Sequence, residues 1–204
     1  MRPNKSFKFR IYPTEEQEQK LASQFGASRF VYNYFLRLRI DYYAAHKGEK
    51  KQGLNYYDTS KMLTELKKQP ECEWLKGAIA QSLQQSLRHL DVAYNNFFNK
   101  YSRFPKFKSK RSKQVFTVPQ EFRLDTKNKR LSIPKMGEIK IVPHRPIGGT
   151  IRSVTISKTP SGRYFASLLC EMEIISPKPT KRNEVGIDLG LKSFAVISNG
   201  ERIE

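Results

Sequence analysis

The chain has 204 residues, with 38 Lys and Arg against 19 Asp and Glu, a formal net charge of +19 and a pI near 10.0. A charge of this size repels itself unless a polyanion neutralises it, so nucleic acid or a membrane surface is the expected partner. No apolar run approaches the roughly 18 residues of a membrane span, and the N-terminus lacks a signal-peptide layout, which disfavours the membrane. An aromatic content of 12% excludes a solvated basic tail. Cys72 and Cys170 lie far apart with no CxxC pair, so no zinc site is expected within the chain, and a cytoplasmic, reduced protein is the default.

Residues 5–12 alternate strictly, Phe7, Phe9 and Ile11 on one face and Lys8, Arg10 and Tyr12 on the other. This predicts a half-buried strand with a basic outer face. Pro13 ends it, and Thr14 with Gln17 forms a capping box that starts a helix. The helical pattern runs to about His46, with Gly26 expected as a corner between two helices. In the second of these, Phe30, Tyr34, Leu38 and Tyr42 recur every four residues, predicting a core stripe with Val31, Phe35 and Ile40 beside it and Arg29, Arg37 and Arg39 off it. After a polar loop over 46–53, a helix is expected from Asp58 or Thr59 to about Gln69, closed by Pro70. Trp74-Leu75 is expected to plug the bundle. The longest helix, from about Ala78 to Tyr101, turns Ile79, Leu83, Leu87, Leu90, Tyr94, Phe97 and Tyr101 to the core and Gln81, Gln84, Gln85, Arg88 and Asn95 outward, with His89 read as structural.

Composition then changes. From Lys100 to Lys113 half the residues are basic and none is acidic. Phe104 and Phe107 interleave with Arg103, Lys106, Lys108, Lys110, Arg111 and Lys113, as a track for a phosphate backbone requires: rings anchor the segment and cations point outward. From Gln114 to Ile175 the period is two, with strands expected at Val115–Val118, Arg130–Ile133, Ile139–Val142, Thr150–Lys158 and Arg163–Ile175. A five- or six-strand antiparallel β-barrel, completed by the N-terminal strand, is the natural closure, with the helices of 14–103 inserted between its strands. A Pro-rich basic linker over 177–183 follows.

The stretch Val185-Gly186-Ile187-Asp188-Leu189-Gly190 predicts a strand, and Phe194–Ile197 a second strand returning by hairpin. An Asp within an apolar strand beside glycines suits a Mg²⁺ site, where carboxylate and phosphate oxygens share one ion. A turn-capping Asp and the ATP corner of actin-like kinases are rival readings; the second lacks its phosphate-binding Thr or Ser here.

The opening K-S-F-K-F-R-I-Y-P, G-A-S-R-F-V-Y-N-Y-F-L, F-P-K-F-K and V-G-I-D-L-G-L-K-S-F-A-V-I, in this order, resemble the N-terminal half of TnpB. TnpB proteins are insertion-sequence-encoded, RNA-guided DNA endonucleases similar to the ancestors of compact type V CRISPR effectors. The resemblance implies an α+β chain. Its parts would be an OB-like wedge β-barrel (1–13 and 104–176), a helical recognition lobe (14–103), and the first strands of an RNase H-like RuvC nuclease domain (184–204). It further implies a guide RNA, double-stranded target DNA, and protein reading of a short adjacent motif at positions matching Tyr56, Gln84 and Thr117. Gln can pair bidentately with adenine, although the lysine expected four residues before Gln84 is Ala80. Asp188 matches the first RuvC carboxylate, a Mg²⁺ ligand. The other carboxylates and the family's zinc ribbon would lie beyond Glu204, in a C-terminal RuvC half, so this chain alone is expected to bind without cutting. A nuclease-inactive repressor or autoregulator is the alternative.

Overall fold

The computed structural model describes residues 3–48, 53–111, 113–173, 185–190 and 193–203. The linker expected at 177–183 and Glu204 lie outside them. The chain divides into two compact units, residues 1–172 and 173–204.

The larger unit is built on a curled, seven-stranded antiparallel sheet in the order β2-β6-β7-β1-β5-β4-β3. Its strands are β1 (Asn4–Tyr12), β2 (Gln114–Val118), β3 (Arg123–Asp125), β4 (Arg130–Ile133), β5 (Gly137–Val142), β6 (Thr150–Lys158) and β7 (Tyr164–Glu171). The expected alternation holds in β1: Phe7, Phe9 and Ile11 are at most 4% exposed, whereas Lys8 and Tyr12 face outward. Burying a side chain such as Phe9 contributes roughly 1.5–3 kcal/mol relative to leaving it in water. β1 joins the sheet as expected, but in its middle, between β7 and β5. The strand count exceeds the five or six expected because β3 is short and non-alternating. Closure into a barrel is not observed: β2 and β3, the two ends of the order, do not pair among the described residues. Helices pack against β2 instead.

The insertion between β1 and β2 holds α1 (Glu15–Ala45), α2 (Tyr56–Leu66), a 3₁₀ helix (Pro70–Gly77) and α3 (Ala80–Phe98). The capping box is present: Thr14 accepts from Gln17 N–H, and the Gln17 side chain accepts from Thr14 N–H at 3.0 Å. Gln17 Nε2 also donates to Glu138 O at 2.9 Å, tying the helix start to β5.

The corner expected at Gly26 is absent, and α1 runs unbroken for 31 residues. A helical Gly is disfavoured by only about 1 kcal/mol, and α1 is held on both sides of it. Leu21 and Phe25 pack in the sheet core, and Val31, Phe35 and Leu36 in a second, helical core. The stripe also turns by one residue from expectation. Val31 and Phe35 are fully buried, whereas Tyr34 is 38% exposed.

α2 begins earlier than expected because Asn55 caps it, with Asp58 closing a capping box. Leu75 is buried in the helical core, but Trp74 is half exposed and meets the edge of Phe30 instead of plugging the bundle. α3 ends at Phe98, so Tyr101 is exposed and not part of the core face. Gln24, 2% exposed, bridges the two cores: its Oε1 accepts from Ile79 N–H at 2.8 Å, at the start of α3, and its Nε2 donates to Ser28 Oγ at 3.3 Å. Arg39 joins α1 to α3 through two bonds of 3.2 Å to Asp91 Oδ1.

The smaller unit is a three-stranded antiparallel sheet of β8 (Ile187–Asp188), β9 (Ala195–Ile197) and β10 (Arg202–Ile203). The expected hairpin pairs Ile187 with Ile197 and Asp188 with Val196. The third strand carries no sequence signature; Gly200, at φ +91°, makes the turn into it.

Candidate nucleic-acid interface

Residues 103–109 have no regular secondary structure, so their path depends on side chains of α1. Asn33 supplies the fastening. Its Oδ1 accepts from Lys108 N–H and its Nδ2 donates to Lys108 O, both at 2.8 Å. One helical turn on, the Arg37 guanidinium lies 5.3 Å from the Phe107 ring centroid. Phe104 meets Tyr94 and Phe97 edge-on, and Pro105 is buried. With the segment held at these points, Arg103, Lys106, Lys110, Arg111 and Lys113 are exposed, as a phosphate track requires. Lys108 departs from the expected outward orientation. Its ammonium lies 3.8 Å from the Tyr32 ring centroid, and burial pushes its pKa below the ordinary lysine value.

The end of this track borders an open cleft of about 450 Å³. Among the described residues, Arg29, Lys110, Arg111, Lys113 and Lys158 line it, and no carboxylate does. Arg29 Nη1 donates to Gln114 Oε1 at 2.7 Å, and Gln114 Nε2 to Lys110 O at 2.8 Å, so α1, the track and β2 are joined along its floor. A hydrogen bond with Tyr164, outweighing slight burial and helped by the Tyr164 and Glu18 charges, raises the Lys158 pKa and keeps it cationic. Five cations converging with no carboxylate among the described lining residues form an anion-binding surface, with the Glu18 charge acting on Lys158.

The outer face of the sheet adds a second basic surface. Lys8 Nζ lies 4.4 Å and the Arg10 guanidinium 5.5 Å from the Phe165 ring centroid, and Arg10 also stacks on Tyr12. Rings and cations interleaved on an exposed face can stack bases and pair phosphates.

Tyr56 and Gln84 share one surface. Arg88, one turn beyond Gln84 on α3, donates from Nε to the Tyr56 hydroxyl at 3.3 Å and lies over its ring at 4.9 Å. Gln84 itself is exposed. Thr117 is not on that surface. It is 8% exposed on β2, its Oγ1 lies 3.0 Å from Thr155 Oγ1, and it faces the side of α3 that carries Ser82 and Ser86. His89 is exposed at the rim of that region, and partial desolvation with the nearby Lys108 charge lowers its pKa.

Asp188 sits exposed on β8. Among the described residues no group of three or more His, Cys, Asp or Glu side chains could hold a metal. A lone carboxylate does not meet the demands of Mg²⁺ for several oxygen ligands, so the residues described do not fit a metal centre by themselves. Cys72 and Cys170 are free and buried in different cores. No helix among the described residues is long and apolar enough to cross a membrane.

Arg29, Tyr32, Asn33 and Lys158 were not singled out by the sequence as interface residues. The first three lie in G-A-S-R-F-V-Y-N-Y-F-L, where spacings of three and four place Arg29, Tyr32, Asn33 and Arg37 along one side of α1.

A helix-turn-helix domain of the IS605 OrfB type matches residues 1–48. In that span the structure holds β1 and the single helix α1, without an intervening turn between helices. The chain is 38% identical over 202 residues to a Streptomyces pristinaespiralis protein provisionally named an RNA-guided DNA endonuclease, covering 98% of this chain and 49% of that protein. It is 34% identical over 207 residues to InsQ of Escherichia coli K12, which bears the same provisional name, covering 100% of this chain and 50% of InsQ. It is 37% identical over 108 residues to the virulence protein VsdF of Salmonella dublin, covering half of this chain and 91% of VsdF. The chain therefore spans about half the length of the two longer relatives. With the four motifs in register and identity extending along the whole of its length, the chain belongs to the TnpB family.

Proposed function

We propose that this chain is the nucleic-acid-binding part of a TnpB-type RNA-guided DNA endonuclease. The observation that carries the reading is the cation-lined cleft, with no carboxylate among its described lining residues, at the end of a basic track fastened by Asn33. The chain binds a guide RNA along this track and the basic outer face of the sheet. Target DNA is engaged beside its adjacent motif by the surface of Tyr56, Gln84 and Arg88. Thr117, 8% exposed on β2 and off that surface, takes no direct part in this recognition. The sheet with residues 1–13 and 104–176 is the wedge, 14–103 the recognition lobe, 177–183 a linker, and 184–204 the start of the RuvC domain.

Asp188 is the one residue of this chain assigned to cleavage, as a Mg²⁺ ligand. A RuvC centre stabilises attacking and leaving oxygens with more carboxylates than one, so the chain alone binds without cutting. A second reading is a nuclease-inactive repressor or autoregulator that binds nucleic acid through the same surfaces and never cuts.

The test is to express the chain with the flanking DNA of its native element and sequence the RNA that copurifies. One discrete species ending at the element boundary supports guided recognition. Heterogeneous RNA that dissociates between about 50 and 200 mM salt would sink it, leaving only non-specific phosphate binding. In a protein carrying the complete nuclease, Asp188→Asn should abolish cleavage with binding retained; retained cleavage would overturn the metal role, and a parent protein that binds without cutting would favour the non-cutting reading.

A further inference from the structure

Beneath the track lies a smaller cavity of about 30 Å³, between α1, α3 and β2. By the usual requirement of about 10–15 Å³ per water-sized atom, it admits about two such atoms and excludes a base. Ser28, Ser82, Ser86, Lys108, Lys113 and Thr117 are among its lining residues, and no carboxylate is among those described.

The hydrogen bonds inside it leave donors over. Ser82 is 1% exposed, and its Oγ has no partner among the described residues. Ser86 spends its proton on Ser82 O at 3.2 Å. Ser28 Oγ accepts from Gln24 and keeps its own proton. Thr117 and Thr155 share one bond, so one of their two protons remains. Lys108 brings a charge whose near partner is the Tyr32 ring, with no ion pair to a carboxylate among the described residues. A partly buried cation of this kind is costly without an anion to meet it. Ser82 also lies in the first turn of α3, whose positive end favours negative charge.

We propose that this cavity is a phosphate socket, which takes the two non-bridging oxygens of a single phosphodiester of the bound nucleic acid. Lys108 supplies the charge, and Ser82 and Ser28 donate hydrogen bonds. Acceptor-only oxygens match surplus donors, and two oxygens match the volume. Seating one phosphate here fixes the register of the strand that crosses the basic cleft. The socket rests on the nucleic-acid reading above.

Binding of a labelled uridine oligonucleotide to the full chain is measured by anisotropy across a salt series, with melting of the free protein in parallel. Ser82→Ala removes an orphan hydroxyl, so the free protein should melt at the same or a higher temperature. Its affinity should nevertheless fall about tenfold with an unchanged salt slope. Lys108→Met keeps the stem over Tyr32 and should reduce the slope of log K against log salt by about 0.7, one single-strand phosphate. A merely structural role would lower melting and leave the slope alone. Affinity of Ser82→Ala within about twofold of the parent, or an unchanged slope for Lys108→Met, would reduce the cavity to a water-filled void and overturn the socket. No binding by the parent chain would instead sink the nucleic-acid reading, and the socket with it.

Discussion

Replacing Asn33 with Ala removes the fastening of the basic track at one stroke. Two hydrogen bonds of 2.8 Å are lost, one to Lys108 N–H and one to Lys108 O. Each contributes a net of about 0.5–1.5 kcal/mol, so the expected loss is about 1–3 kcal/mol. At roughly 2–4 °C per kcal/mol for a chain of this size, the melting temperature should fall by about 2–12 °C. Residues 103–109 would then sample many conformations, and the five exposed cations would no longer be held along one line. Nucleic-acid affinity should therefore fall further than in Lys106→Ala, which deletes a charge and leaves the fastening intact. Calorimetry and anisotropy on the same preparations read both effects. A full loss of stability with affinity equal to the parent would refute the track as the interface. An unchanged melting temperature would refute the fastening itself.

Three further outcomes follow from the same geometry. Gly26→Ala should stabilise the protein by about 1 kcal/mol, because the added Cβ meets nothing within 4 Å and Ala is the better helix former; destabilisation in a melt would restore a corner at Gly26. Gln24→Met keeps the volume and orphans the buried Ile79 N–H, so about 1–3 kcal/mol should be lost in urea unfolding; a neutral result would mean that α3 starts without that bond. For Lys108, the depressed folded pKa means that the unfolded state binds the proton more tightly. Stability from this group therefore rises as pH climbs from the folded value towards the ordinary lysine value, and Lys108→Met should flatten that rise against the parent; identical pH profiles would place the ammonium in water.

What could be read from the sequence was set by how local its cause is. Arg130–Ile133 and Thr150–Lys158 were legible to the residue, because alternation is a property of the strand itself. The capping box at Thr14 and Gln17 is equally local. Gly26 misled because its helical state is imposed by two separate cores that grip α1 on either side. β3 was invisible at three residues, since it is ordered by pairing with β4 rather than by its own pattern. At the interface, the run of cations was plain but its fastening was not: Asn33 reads as an ordinary polar helix position until it meets Lys108, 75 residues away. Separation in sequence also hides Ser82 and Thr117, whose cavity exists only once α3 has packed on β2.

The place of β1 in the sheet sets an order on synthesis. β1 leaves the ribosome well before its partners β5 and β7, whose residues emerge more than a hundred positions later. The α1–α3 insertion can gather its own core in the meantime, whereas β1 must wait with Phe7, Phe9 and Ile11 in water. Long-range pairing of this kind is slow and exposes apolar strands while it is pending. The basic outer face of β1 keeps such a nascent chain repelled from its neighbours. A chain shortened past Tyr12 would keep β2-β6-β7 and β5-β4-β3 as two ribbons with nothing between them to zip them together.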